Sequence, residues 1–72
     1  MPLTLDNIDN WFKYHAPIPE QVEKYTRLRE SAKQFAECIL ENTPQSADQT
    51  AAIRKVREAV MTANAAIACG GK

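Results

Sequence analysis

Trp11, Phe12, Lys13, Tyr14 and His15 occupy five consecutive positions, so three of the chain's five aromatic residues stand together just ahead of Pro17. Basic residues then gather in two stretches, Lys24, Arg27, Arg29 and Lys33 in the first and Arg54, Lys55 and Arg57 in the second. Aromatic faces beside lysines and arginines suit a nucleotide, the ring stacking on a base and the cation giving charge-assisted hydrogen bonds to a phosphate. The plainer reading of the same cations is pairing with carboxylates one helical turn away, such as Glu20 with Lys24, or with Glu58.

Catalytic signatures are few. The chain has one histidine, no Gly-rich phosphate loop, no nucleophile elbow and no Cys/His spacing that suits a metal. Glu20 with Glu23, and Glu37 with Glu41, lie at helix-face spacing and read as solvated surface. A binding protein without catalysis, metal or cofactor is therefore expected.

These residues must be positioned by helices. Thr4 suits the N-cap of "LDNIDNWF", in which Leu5, Ile8 and Phe12 share a face, and "HAPIP" stops that element because residues preceding proline are disfavoured in the α region. A short helix over about residues 4–14 is expected. From Pro19, a good first-turn residue, apolar positions recur at Val22, Tyr25, Leu28 or Arg29, Ala32, Phe35 and Ile39, which predicts a long amphipathic helix over 19–42. Ser46 with Gln49 three residues later reads as a capping box. Ile53, Val56, Val60, Ala63 and Ile67 then predict a third helix over about 47–69, ended by Gly70 and Gly71.

Two long helices joined by about four residues fold back as an antiparallel hairpin, with no strand expected. The chain thus reads as one all-α domain over residues 1–72. A domain as short as this 72-residue chain buries only about 60% of its unfolded surface and is marginally stable alone, and a two-helix hairpin leaves one side of each helix uncovered, so self-association is expected. Ala59, Ala63 and Ala66 form a small-residue stripe that suits either a tight fit inside the hairpin or a contact between chains. Cys38 and Cys69 would sit about 28 Å apart along the hairpin, beyond the roughly 7 Å between Cα atoms that a disulfide tolerates, so both read as free thiols.

Nine Lys and Arg balance nine Asp and Glu, which argues against a general nucleic-acid binder. Helices this long also do not suit a helix-turn-helix DNA module. No apolar run approaches a membrane span, and "MPLTLDNIDN" lacks the basic start of a signal peptide, so an intracellular protein is expected.

The run "YTRLRESAKQFAECILENTPQSADQTAAIRKVREAVMTANAAIA", preceded by "FKYHAPIPEQ", resembles the small phage proteins that sequester cyclic oligonucleotide signals of the bacterial CBASS defence. The likeness extends over residues 8–69, and "SADQTAAIRKVREAVMTANAAIA" and the Tyr25-x-x-x-Arg29 step are its most specific parts. The resemblance implies a helical hairpin that assembles as a homohexamer in the cytoplasm of an infected bacterium. It implies cyclic dinucleotides bound between subunits and cyclic trinucleotides at a separate threefold site, with no DNA or membrane partner. It also implies an N-terminal aromatic against a base, for which Trp11, Phe12 and Tyr14 are alternatives, and a helix cation against phosphate, for which Lys24, Arg27 and Arg29 are alternatives. Thr26 is a candidate phosphate hydroxyl, and His15 and Tyr25 complete the candidate ligand-binding set. The competing reading is a helical oligomerisation or adaptor protein, its aromatics acting as hydrophobic staples and its arginines pairing with carboxylates.

Overall fold

The computed structural model describes residues 3–72, so Met1 and Pro2, the start of the segment read above for a signal peptide, lie outside the described residues. Three helices follow in order, α1 (Leu5–Trp11), α2 (Pro19–Asn42) and α3 (Ala47–Ala68), and there is no strand among the described residues. The expected all-α hairpin with a short leading helix is what forms.

Thr4 caps α1 as its type suggests, its hydroxyl accepting from the Asn7 N–H at 3.2 Å. The helix then stops at Trp11, three residues short of the expected end. Its last-turn carbonyl on Asn10 is taken by His15 Nε2 at 2.7 Å, which occupies the acceptor that a further helical turn would use. Phe12 is the C-cap residue, and residues 14–18 run without regular structure towards Pro19. The face shared by Leu5, Ile8 and Phe12 is not covered, since Leu5 and Phe12 are each 84% exposed.

Pro19 opens α2 and Glu20 lies in its first turn, where a negative charge suits the helix dipole. Gln21 Oε1 accepts from the Ile18 N–H at 3.1 Å. At the other end the Thr43 hydroxyl donates to the Ile39 carbonyl at 2.6 Å and Asn42 Nδ2 to the Cys38 carbonyl at 2.8 Å. The Thr43 bond satisfies one of the four last carbonyls that every helix C-terminus leaves open.

Ser46 caps α3 by accepting from the Gln49 N–H at 3.1 Å. The reciprocal half of the expected capping box does not form. Gln49 instead turns its amide across the loop and donates to the Leu40 and Thr43 carbonyls at 3.3 and 3.0 Å, with the Thr43 hydroxyl at 3.1 Å. It is the one buried residue among those described, and it ties the start of α3 to the end of α2.

Gln21, at the start of α2, donates to the Ile67 carbonyl at the end of α3 at 3.3 Å. With one side-chain bridge at each end the two long helices are fixed as antiparallel. Leu28, Ala32 and Ile39 face Ile53, Val56, Val60 and Ile67 along a half-buried seam. Leu28, not Arg29, takes the seam position. No apolar side chain among the described residues is fully buried, and Val22 and Phe35, expected on the covered face, are 49% and 58% exposed. The molecule measures 44 × 29 × 17 Å, a rod whose seam is covered only along its inner line.

Candidate functional site

The aromatic segment is anchored to the far end of α3. Asn10 Nδ2 donates to the Cys69 carbonyl at 3.3 Å, and the Trp11 indole N–H donates to the Lys72 backbone oxygen at 2.8 Å. Trp11 and Phe12 thereby border an open groove of about 610 Å³ floored by Met61, Thr62, Ala65, Ala66 and Cys69. Trp11 keeps half its surface in solvent, and Phe12 and Tyr14 are more than four-fifths exposed. Tyr14 stands outside this groove, and His15 is engaged with the backbone of α1.

The candidate cations diverge on α2. At 3.6 residues per turn Lys24 and Arg29 point about 140° apart. Lys24 lies on the same side as Phe35, whereas Arg29 lies with Thr26 and Lys33. Arg27 pairs with Glu23 at 3.6 Å, both side chains well exposed, and this is the one ion pair among the described residues. The expected pairing of Glu20 with Lys24 does not form. Lys24, Arg29, Lys33 and Arg57 therefore stand without carboxylate partners among the described residues, which leaves their donors open to an anion. Thr26 donates to the Val22 carbonyl at 3.0 Å and keeps acceptor capacity on its oxygen, and Tyr25 is half-buried against the seam.

Arg29, Lys33 and Arg57 line a second groove of about 280 Å³, over Ala32, Ala36, Ile53, Val56 and Val60, and Met61 closes it. Met61 also belongs to the aromatic groove, so the two join on one surface. On the opposite flank an apolar groove of about 610 Å³ runs past Leu28, Phe35, Ile39, Ala52, Ala59 and Ala63, with Lys55 at its edge. Ala59 and Ala66 are exposed and belong to different grooves, so the alanine stripe is not a tight fit inside the hairpin.

Of the nine candidate residues, then, Trp11 and Phe12 share one groove and Arg29 lies in the adjoining one. Lys24, Arg27 and Tyr14 line none of the three. The anchoring of the aromatic segment through Asn10 and Trp11 to the backbone of residues 69 and 72 was not foreseen, because backbone acceptors carry no signature of residue type.

Among the described residues no three of His, Cys, Asp and Glu gather as a metal cage, and no helix is long and apolar enough to cross a membrane. Both cysteines are free thiols. No curated protein and no solved structure matches the chain. The family model described as Acb2/Tad1, hairpin domain, matches residues 4–68, from the Thr4 cap to the last residue of α3. With its hairpin, its anchored aromatic segment and nearly its whole length within that match, the chain belongs to the Acb2/Tad1 family, the anti-CBASS sponges of cyclic oligonucleotides.

Proposed function

We propose that this protein binds and sequesters cyclic di- and trinucleotide messengers of CBASS immunity in the cytoplasm of an infected bacterium, without turning them over. The family sequesters cyclic nucleotides in general. The observation that carries the reading to this chain is the pairing of bare aromatics with bare cations. Phe12 and Tyr14 are 84% and 85% exposed, and Lys24 and Arg29 have no carboxylate within 4.0 Å among the described residues. Exposed aromatics are poor hydrophobic staples, which weighs against the adaptor reading.

A cyclic dinucleotide has two bases, two phosphates and an approximate twofold axis. A chain offering one aromatic and one cation doubles both by forming an isologous pair. In the single chain Trp11 and Phe12 border one groove and Arg29 the groove that adjoins it at Met61, so the proposed pocket takes its second aromatic and second cation from another copy. A cyclic trinucleotide would suit a threefold axis in the same way, and a homohexamer carries both kinds of axis. Two stacking contacts at about 1–3 kcal/mol each and two charge-assisted bonds at about 1.5–3 each give roughly 5–12 kcal/mol gross. Nanomolar capture needs about −12 kcal/mol net, so enclosure and preorganisation between subunits must contribute the remainder.

A thermal-shift panel tests this reading. Cyclic di- and trinucleotides should raise the melting temperature, while linear dinucleotides at equal concentration should not. A panel in which no cyclic nucleotide shifts the melt would remove the proposal.

A further inference from the structure

We infer that the Gly70–Gly71 turn after α3 is a positioning element for the aromatic segment, and through it for the ligand; the second half of this inference rests on the sponge reading above. Polar contacts from the N-terminal segment end on backbone oxygens, Asn10 reaching the Cys69 carbonyl and Trp11 the Lys72 oxygen, and Gln21 at the start of α2 reaches the Ile67 carbonyl beside them. All three acceptors lie in or beside one turn. Its path is set by two consecutive left-handed residues, Gly70 at φ 64° and Gly71 at φ 79°.

The turn closes on the helix end, with Gly70 N–H donating to the Ile67 carbonyl at 3.2 Å and Gly71 N–H to the Ala66 carbonyl at 3.0 Å. Lys72 N–H reaches the Cys69 carbonyl at 3.3 Å. This conformation brings the Lys72 oxygen back to within 2.8 Å of the indole nitrogen. A right-handed or extended path at either glycine would carry that oxygen away from Trp11. The requirement is one of backbone conformation and not of space, because a Cβ at either glycine meets nothing within 4 Å. Leu5 and Phe12 are largely exposed and Trp11 is only half-buried, so packing against α3 does not by itself enclose the aromatic segment.

The absence of a packing constraint makes the test clean. Replacing both glycines with Val adds a Cβ that meets nothing within 4 Å and opposes the left-handed conformation, whereas replacing both with Asn tolerates it. Trp11 is the chain's single tryptophan, so its fluorescence reports the contact directly. With the full chain we expect the Val pair to raise acrylamide quenching of Trp11 and weaken cyclic dinucleotide binding about tenfold through lost preorganisation. The Asn pair should resemble wild type in both readouts, and helicity should be unchanged in all three proteins. Trp11→Phe, which keeps a ring and removes the indole donor, should also weaken binding and does not disturb the glycines.

Unchanged quenching in the Val pair overturns the inference whatever the ligand does. Raised quenching with undiminished affinity overturns the link from turn to ligand and leaves the sponge reading intact. Raised quenching in a series whose wild type binds no cyclic nucleotide supports the positioning of Trp11 and defeats the sponge reading. Should the Val pair lose helicity, undiminished affinity in Trp11→Phe overturns the link.

Discussion

At the scale of single residues, an open donor or a bare ring matters more here than a perturbed group. Arg27 already holds Glu23 across one turn, an exposed pair of the kind that contributes about 0.3–0.5 kcal/mol. Lys24 and Arg29 hold no carboxylate among the described residues, so their charge remains available to a phosphate. Replacing Lys24 or Arg29 with Ala, or Phe12 or Tyr14 with Ala, should weaken cyclic nucleotide binding by about 1–3 kcal/mol for each residue that contacts the ligand. Thermal stability of the free protein should hardly change, because all four side chains are exposed. Competition binding against a fluorescent cyclic dinucleotide would measure this. Unaltered affinity in all four variants would put the site elsewhere. Gln49 is the opposite kind of residue, buried and with its amide donating across the loop. Gln49→Leu should destabilise the hairpin by about 0.5–1.5 kcal/mol for each amide bond it loses to the Leu40 and Thr43 carbonyls, read as a lower melting temperature with ligand specificity unchanged.

At the scale of elements, α2 and α3 were legible because their signals agree. Pro19 at the first turn, Ser46 at the cap and apolar residues at three- and four-residue spacing all mark the same boundaries. The end of α1 was not legible, since Trp11, Phe12 and Tyr14 continue a helical pattern that His15 interrupts by taking the Asn10 carbonyl. Gln49 was misassigned for a related reason. Its spacing from Ser46 fits a capping box, yet the open carbonyls at Leu40 and Thr43 compete for the same amide and are reached only once the hairpin has closed. The candidate site was legible as a set of residue types and not as a place. Helical phase separates Lys24 from Arg29, and hydrogen bonds to backbone at residues 69 and 72 set Trp11 over the end of α3, in a groove that Arg29 adjoins and Lys24 does not line. At this scale Ser46→Ala should cost about 1 kcal/mol through loss of the α3 cap, whereas Thr4→Ala should leave the hairpin's melt nearly unchanged because α1 packs so lightly. Paired thermal melts of the two variants distinguish these outcomes, and equal losses would show that α1 belongs to the cooperative unit.

At the scale of the whole molecule, the chain has no fully buried apolar side chain among its described residues. The groove lined by Leu28, Phe35 and Ile39 would expose apolar surface in a lone chain, and folded domains of this size are marginal even with a closed core. An oligomer at micromolar concentration is the expected outcome in light scattering, and a stable folded monomer near 8.1 kDa would contradict it. On the proposed reading assembly also matters for binding, because a second copy doubles the aromatic and cationic groups offered to one ligand. Sequestration further requires that the ligand survive. Cyclic dinucleotide recovered after incubation and denaturation should be intact, and linear product growing with time and protein would move the protein to the phosphodiesterases. The most direct measurement is calorimetric titration of a cyclic dinucleotide into the wild-type protein. Saturable binding is expected, with about one ligand for every two chains, as a twofold site between copies requires. Absence of binding by any cyclic di- or trinucleotide to folded, oligomeric protein would contradict it.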